Sequence, residues 1–379
     1  MNSILDKFKG VWSDDTFVVS PPQKGEYLTR LRQNQEKIEA RACQDIRFAQ
    51  PLLTLGDIGV IYPNTIIVIQ GQKGVHKSRL TENFCAAFLN MNTNNDFIGF
   101  RVAPLKRFHV VYIDTERNLN DQFPYAVQRI KERAGFHKTD RPKNFEAVSL
   151  IEIERSERFE AITEYLKDVR QQHENENIVV VFDVVTDSIG NFNDPKESMK
   201  LLDHLNMIIN SHNVTFICVI HENPNSFGDS KARGHLGTEI VNKASTVISI
   251  GYEKGASGKR TDLITAKFLH TRNTKLPEPH FLRYSEEAKG LVVADATFIT
   301  EQKNLKAEKA EIGELKDWLL ENINGRISKS ELVEKLISYF DCTAKTIETR
   351  FKNLLEEEAP ILKRIKEGKE VYFEVIAPF

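Results

Sequence analysis

The sequence predicts an α/β fold, with a core on a mainly parallel sheet and a smaller, mostly helical module behind it. Two patterns carry that expectation. Between residues 51 and 297, short runs of apolar, β-branched residues alternate with longer amphipathic stretches. That is the rhythm of strands buried on both faces and joined by helices. After residue 310 the alternation stops, and three helical stretches lead into a strand–turn–strand. A chain of 379 residues has room for two or three such units.

The segment 1–50 is polar and weakly patterned, and is expected to be an arm or linker. Within it Glu26–Cys43 can form a charged helix, either solvated or bound to a partner. The opening MNSILDKFKGVW lacks the apolar stretch of a secretory leader. No run approaches the roughly 20 apolar residues that span a bilayer. The four cysteines, Cys43, Cys85, Cys218 and Cys342, have no metal-ligand spacing. A reducing compartment, the cytoplasm, is expected, with no disulfide and no membrane partner. A formal net charge of −2 exerts no global pull on nucleic acid, so any such contact must come from local basic surfaces.

In the core domain, 51–297, strands are expected at Ile66–Ile69, Val110–Ile113, Ile178–Phe182, Phe216–Ile220, Thr246–Ile250 and Leu263–Phe268. Helices fall near 78–90, 121–134, 157–173 and 196–211, and Gly251–Arg260, with three glycines, reads as a hairpin loop. The Lys/Glu-rich stretch 298–310 is a linker or the start of a helix. The module 311–379 then has helices at Ile312–Asn322, Lys329–Phe340 and Thr343–Glu357. Ser328 caps the second, with Glu331 at the capping-box position. Strands Ile361–Ile365 and Glu370–Val375 flank a turn containing Gly368. Three helices and a hairpin make the winged-helix pattern, a relative of the helix-turn-helix.

One motif carries chemistry. The strand at Ile66 runs straight into Gly71-Gln72-Lys73-Gly74-Val75-His76-Lys77-Ser78, and a helix beginning with Arg79 follows. This is the strand–loop–helix setting of a P-loop. Gly71 and Gly74 let backbone N–H groups turn toward phosphate oxygens, and the helix adds its positive N-terminus. Lys77 is placed to neutralise the β and γ phosphates and Ser78 to ligate Mg²⁺, so the expected cofactors are ATP and Mg²⁺. His76 stands where the pattern has glycine. A side chain there costs backbone strain and adds bulk beside the phosphates, which puts hydrolysis more in question than binding.

Acids and a histidine end the other strands. Val110–Ile113 leads into Asp114-Thr115-Glu116, where Glu116 can polarise an attacking water and Asp114 fits a capping role equally well. Ile178–Phe182 ends in Asp183, the Walker B arrangement of an apolar strand and a metal-holding acid. Asp187 can serve instead or in addition. Phe216–Ile220 ends in His221, either a γ-phosphate sensor or a satisfied strand-end residue.

The segments GQKGVHKS, YIDTE, VVVFDVVTDSIGNFND, VIHENP and RGHLGTEIVNKA, in that order, resemble the RecA-like P-loop ATPases. The resemblance covers residues 50 to 285 and is to the branch of RepA- and DnaB-type hexameric helicases, including ATPases of Bacteroidetes mobilizable elements. It implies a RecA-like core, Glu116 as catalytic base, and a homo-oligomer, hexameric in that branch, with single-stranded DNA in its channel. It turns the loops 186–196 and 223–237 to that channel, with Lys231 and Arg233 as backbone-phosphate contacts. It also implies a basic residue reaching the neighbour's nucleotide, for which Lys267 and Arg272 are candidates, although their spacing is looser than the family's Lys-x-Arg.

Residues 305–379 hold 13 basic and 15 acidic residues, so the module is not basic overall. Its third helix carries Lys345, Arg350 and Lys352, and the hairpin carries Lys363, Arg364, Lys366 and Lys369. These clusters suit one DNA duplex, and a protein-interaction role fits the charge balance as well. Two functions follow: an ATP-driven DNA motor serving replication or transfer of a mobile element, or a nucleotide-dependent DNA-binding initiator, regulator or loader. A recombinase-like filament former fits less well, given the appended module.

Overall fold

The computed structural model describes residues 26–90, 97–104, 106–223, 231–255, 260–304, 310–357, 360–368 and 370–376. The chain divides into two compact units, Met1–Gln50 and Pro51–Phe379. In the first, the described structure is one exposed helix, α1 (Glu26–Ala42).

The second unit begins with β1 (Leu53–Leu55), β2 (Ile58–Ile61), β3 (Ile66–Gly71), α2 (Lys77–Leu89), β4 (Phe100–Val102) and β5 (Phe108–Asp114). It continues with α3 (Gln122–Arg133), β6 (Phe145–Ser149), α4 (Arg158–Gln172), β7 (Asn177–Asp183), α5 (Pro195–His212), β8 (Val214–His221) and α6 (Gly234–Lys243). Then come β9 (Thr246–Lys254), β10 (Arg260–Thr271), β11 (His280–Ser285), β12 (Gly290–Val293) and α7 (Ala296–Asn304).

Nine of these strands form one sheet in the order β12-β11-β10-β9-β3-β8-β7-β5-β6. From β9 to β6 the pairings are parallel, and β10 to β12 continue antiparallel. The expected mainly parallel sheet is therefore present, with an antiparallel flank. Its strands bury both faces because successive side chains point to opposite layers. In β3, Ile67 and Ile69 join the layer that contains α2, while Ile66 and Val68 join the layer that contains α5. Helix α5 shows how local chemistry sets an end. Asp194 accepts from the N–H groups of Lys196 and Glu197, Pro195 opens the helix, and Asn213 closes it in the left-handed region.

The expected hairpin loop at Gly251–Arg260 is shorter than its glycines suggest. Gly251–Lys254 extends β9, and residues 256–259 lie outside the described set. Residues 298–304 belong to α7, which packs on the antiparallel flank. Gln302 accepts from the Asp262 N–H at 3.0 Å, and the Lys303 ammonium lies 4.2 Å from the Phe281 ring centre.

The remaining elements are α8 (Ile312–Asn322), β13 (Arg326–Ser328), α9 (Lys329–Phe340), α10 (Ala344–Leu355), β14 (Leu362–Glu367) and β15 (Glu370–Val375). They have their own core around Leu315, Leu332, Leu336, Ile347, Phe351 and Phe373. Ser328 accepts from the Glu331 N–H at 3.3 Å, as the capping pattern requires, and Thr343 caps α10 in the same way. The strands pair in the order β13-β15-β14.

Candidate nucleotide site

Parallel strands end on the same edge of a sheet, and in open α/β folds that edge holds the ligand. Here β3, β8, β7 and β5 are consecutive neighbours, with Gly71 level with His221 and Asp114 level with Asp183. Strand β8 separates β3 from β7, so the loop after β3 and Asp183 are about 10 Å apart across the sheet. A cavity of about 1110 Å³ opens at this edge. Every residue from Gln72 to Arg79 lines it, together with Glu116, Asp183, Asp187, His221 and Arg233.

The loop has the shape its glycines predict. A Cβ on Gly71 would stand 2.3 Å from the Ile250 carbonyl oxygen, so no larger residue fits. Gly74 has φ +78°, which a side chain resists. His76 also takes a left-handed backbone, at φ 69° and ψ 26°. Its imidazole bonds the Tyr252 hydroxyl at 2.8 Å and stacks on Tyr284 with centroids 5.4 Å apart. Burial first, then the Arg79 and Arg260 charges, push its pKa down to about 4, so it is neutral at pH 7.

Lys77 opens α2 and is buried. Its ammonium donates to the Gln72 carbonyl at 2.7 Å and lies 3.2 Å from His221 Nδ1. Burial lowers its pKa, while Asp183, Glu116 and Glu222 oppose that shift. Ser78 is the next helical residue. Arg79 donates to the Lys289 carbonyl and lies over Tyr284.

Glu116 lies 3.6 Å from His221 Nε2. The His221 ring beside it, helped by Lys77 and Lys73, outweighs burial and holds the carboxyl below the usual range. Asp114, the alternative at this strand end, caps the loop instead. It accepts from the N–H groups of Glu116 and Arg117 and from the Arg117 guanidinium. Asp183 is buried, and its Oδ2 takes the Tyr112 hydroxyl at 2.6 Å and Arg117 at 3.3 Å. Asp187 lies in a short 3-10 turn, 3.8 Å from Arg155. Burial, and then the Glu116 charge, raise its pKa.

Sequence reasoning missed Arg117, Glu222 and Phe192. Arg117 ties Asp114, Asp183 and Glu82 together, and its offset of three from Asp114 was the available signal. Glu222 accepts from Gln70 at 2.9 Å and Ser249 at 2.7 Å. Phe192 carries the Arg233 guanidinium 4.9 Å from its ring centre.

Other predicted residues lie elsewhere. Lys267 pairs with Glu253 at 3.2 Å and does not line this chain's cavity. Arg272 is at the far end of the sheet, where its N–H bonds the Ser245 carbonyl and its guanidinium bonds that of Asn242. Lys231 is exposed and its carbonyl accepts from Asn223, while residues 224–230 of the same loop lie outside the described set. In the module, Lys345 and Lys352 are exposed on α10, but Arg350 is half-buried and donates to the Ala310 carbonyl at 3.0 Å. Lys363, Arg364 and Lys366 are exposed on β14, with Lys363 on the opposite face to the other two by strand alternation. Lys369 is not described.

The donor set fits a polyphosphate with a divalent cation. Lys73, Lys77 and Arg79 and the α2 N-terminus stand beside the acids Glu116, Asp183 and Asp187, and the cavity is roomy enough for a nucleotide.

Comparison with known proteins agrees with this geometry. Residues 38–226 match the family model for an AAA domain, and the loop and all three acids lie inside the match. No curated protein matches the sequence. Among solved structures, the RadB recombinase matches at 15% identity and a TM-score of 0.44, covering 64% of this chain and 95% of its own. No helix among the described residues is long and apolar enough to cross a membrane. Residues 38–226 thus resemble an AAA domain, with the loop Gly71–Ser78 following the central strand of a mostly parallel sheet.

Proposed function

We propose that this protein is an ATP-hydrolysing, DNA-associated motor of the helicase or translocase kind. It works as a homo-oligomer, a hexameric ring, in replication or transfer of a mobile element. The observation that carries the proposal is the convergence of Gln72–Ser78, Glu116, Asp183 and His221 on one cavity. Domains of this type are generally ATPases, and the motifs' resemblance to hexameric helicases supports the finer reading.

Each residue has a part. The loop N–H groups from Gln72 to Ser78 hold the phosphates, with Lys77 neutralising the β and γ oxygens. The Ser78 hydroxyl and the Asp183 carboxylate would hold Mg²⁺, which when bound would offset phosphate charge. Glu116, ionised at neutral pH, polarises the attacking water. His221 lies between Lys77 and Glu116, and its carbonyl accepts from the Arg233 N–H at 2.8 Å. These contacts support a role for it in coupling the phosphate end of the cavity to the loop that carries Lys231 and Arg233. Lys267 and Arg272 act on the neighbouring subunit's nucleotide. Residues 311–379 form a winged helix in this reading, and Lys345, Lys352, Arg364 and Lys366 contact duplex phosphates, while Lys363 lies on the other face of β14.

A second reading, a nucleotide-dependent DNA-binding initiator, regulator or loader, draws support from those exposed cations. Glu348 and Glu356 on the same helix temper it, since they pair with Lys329 and Lys352. Mass measurement with ATP, combined with a forked-DNA assay, separates the two. The motor reading expects an oligomer that unwinds the fork and turns ATP over faster with single-stranded DNA. A monomer with DNA-insensitive turnover rejects it, and ATP-modulated duplex binding without unwinding selects the second.

A further inference from the structure

Helix α1 forms the described part of the first compact unit, and one of its faces is apolar. Leu28, Leu31, Gln35, Ile38 and Ala42 follow one another at alternating steps of three and four residues, so they line a single stripe. Tyr27 borders it. The large side chains are open to solvent: Tyr27 is 63% exposed, Leu28 55%, Leu31 66% and Ile38 68%. Single exposed leucines are ordinary on a protein surface, but a row of apolar side chains down one helix face marks a contact. A lone helix of 17 residues is also marginal in water, so covering the stripe would stabilise it.

The charges beside the stripe select what covers it. In heptad terms Leu28 and Gln35 take a positions, and Leu31 and Ile38 take d positions. Arg32 and Glu39 then form the e flank, and Tyr27, Asn34 and Arg41 the g flank. An antiparallel pair of helices brings e against e and g against g. With Leu28 opposite Ile38 of a second copy, and Leu31 opposite its Gln35, Arg32 meets Glu39 of that copy. The reverse pair repeats at the other end. On the g flank Tyr27 meets Arg41 of the second copy, a ring against a guanidinium, and Asn34 meets its own equivalent across the two-fold axis. A parallel pair would set Tyr27 against Arg32 and Asn34 against Glu39, without an ion pair. Gln35, the polar residue in the seam, donates to Glu39 Oε1 of its own helix at 2.8 Å, so its amide does not enter the seam unpaired.

We propose that α1 pairs with α1 of a second copy of this chain as an antiparallel coiled coil about 25 Å long. Such a contact is isologous, whereas a closed ring is built from head-to-tail contacts. The pairing therefore joins chains two by two and does not rest on the ring or on the nucleotide reading.

The test uses the full chain, free of nucleotide, with the exposed Cys43 removed by Cys43→Ser. In that background Asn34→Cys should be joined to a second copy by a short bis-maleimide. Ala40→Cys, on the opposite face of α1, should not. Sedimentation should show a dimer that Arg32→Glu weakens about 10-fold, since two attractive pairs become repulsive. Adding Glu39→Arg to Arg32→Glu should restore the wild-type affinity. Any other occupant of the stripe would leave Asn34→Cys unlinked to its equivalent. A monomer, equal cross-linking of the two cysteine variants, or a double charge variant no tighter than Arg32→Glu would overturn the proposal.

Discussion

His76 holds a left-handed backbone that glycine would take without strain, yet the loop around it keeps its curl. Tyr252 and Tyr284 hold the imidazole, so the motif's departure from glycine is absorbed by side-chain contacts. His76→Gly should therefore change turnover little, by less than a factor of about 3 (under 1 kcal/mol of barrier). A large gain would favour the binding-protein reading. The pH dependence has a definite sign. The folded pKa of about 4 lies below the ordinary 6.5, so the unfolded chain takes up the proton first as pH falls. The associated stability is full above 6.5 and is lost as pH falls toward 4. His76→Gly should flatten the decline of the unfolding midpoint across that window, and parallel curves would contradict this. Glu116→Gln should keep nucleotide binding but slow hydrolysis about 10²- to 10⁴-fold, as loss of a positioned base does. Unchanged hydrolysis, measured as phosphate release, would remove Glu116 from the mechanism.

At the scale of elements, Arg117 joins the end of β5 to α2 and β7 through Asp114, Glu82 and Asp183. Arg117→Ala leaves buried carboxylates uncompensated and should cost about 3–5 kcal/mol in urea unfolding. A loss under about 1 kcal/mol would mean that solvent already screens the cluster. This network was not legible in the sequence, because it joins residues 82, 114, 117 and 183 through tertiary packing. The central strands were legible, since runs such as Ile178–Phe182 are continuous and β-branched. Strand β6, Phe-Glu-Ala-Val-Ser, lies half-buried at the sheet edge and carries no such run. Strands β1, β2 and β4, of three or four residues, are too short to show a period. The motif residues Gly71–Ser78 could be read because a P-loop is local in sequence. Glu222 and Phe192 could not, because what they touch depends on how the strand ends pack.

For the whole molecule, the proposed nucleotide chemistry belongs to one edge of the nine-stranded sheet, where the parallel strands end. The elements from Ile312 onward have their own core and their own exposed cations, so the proposed DNA engagement and the proposed ATP turnover can be varied separately. Everything in the functional reading depends on the cavity at Gly71–Ser78 being where ATP is split. The direct measurement is the steady-state ATPase rate of the wild type beside Lys77→Ala, each with and without single-stranded DNA. The wild type should hydrolyse ATP and be stimulated by DNA. The variant should lose at least about 100-fold of that rate, as removal of a charge-stabilising group does, and show no stimulation. Equal rates for the two proteins would mean that this cavity is not the active site.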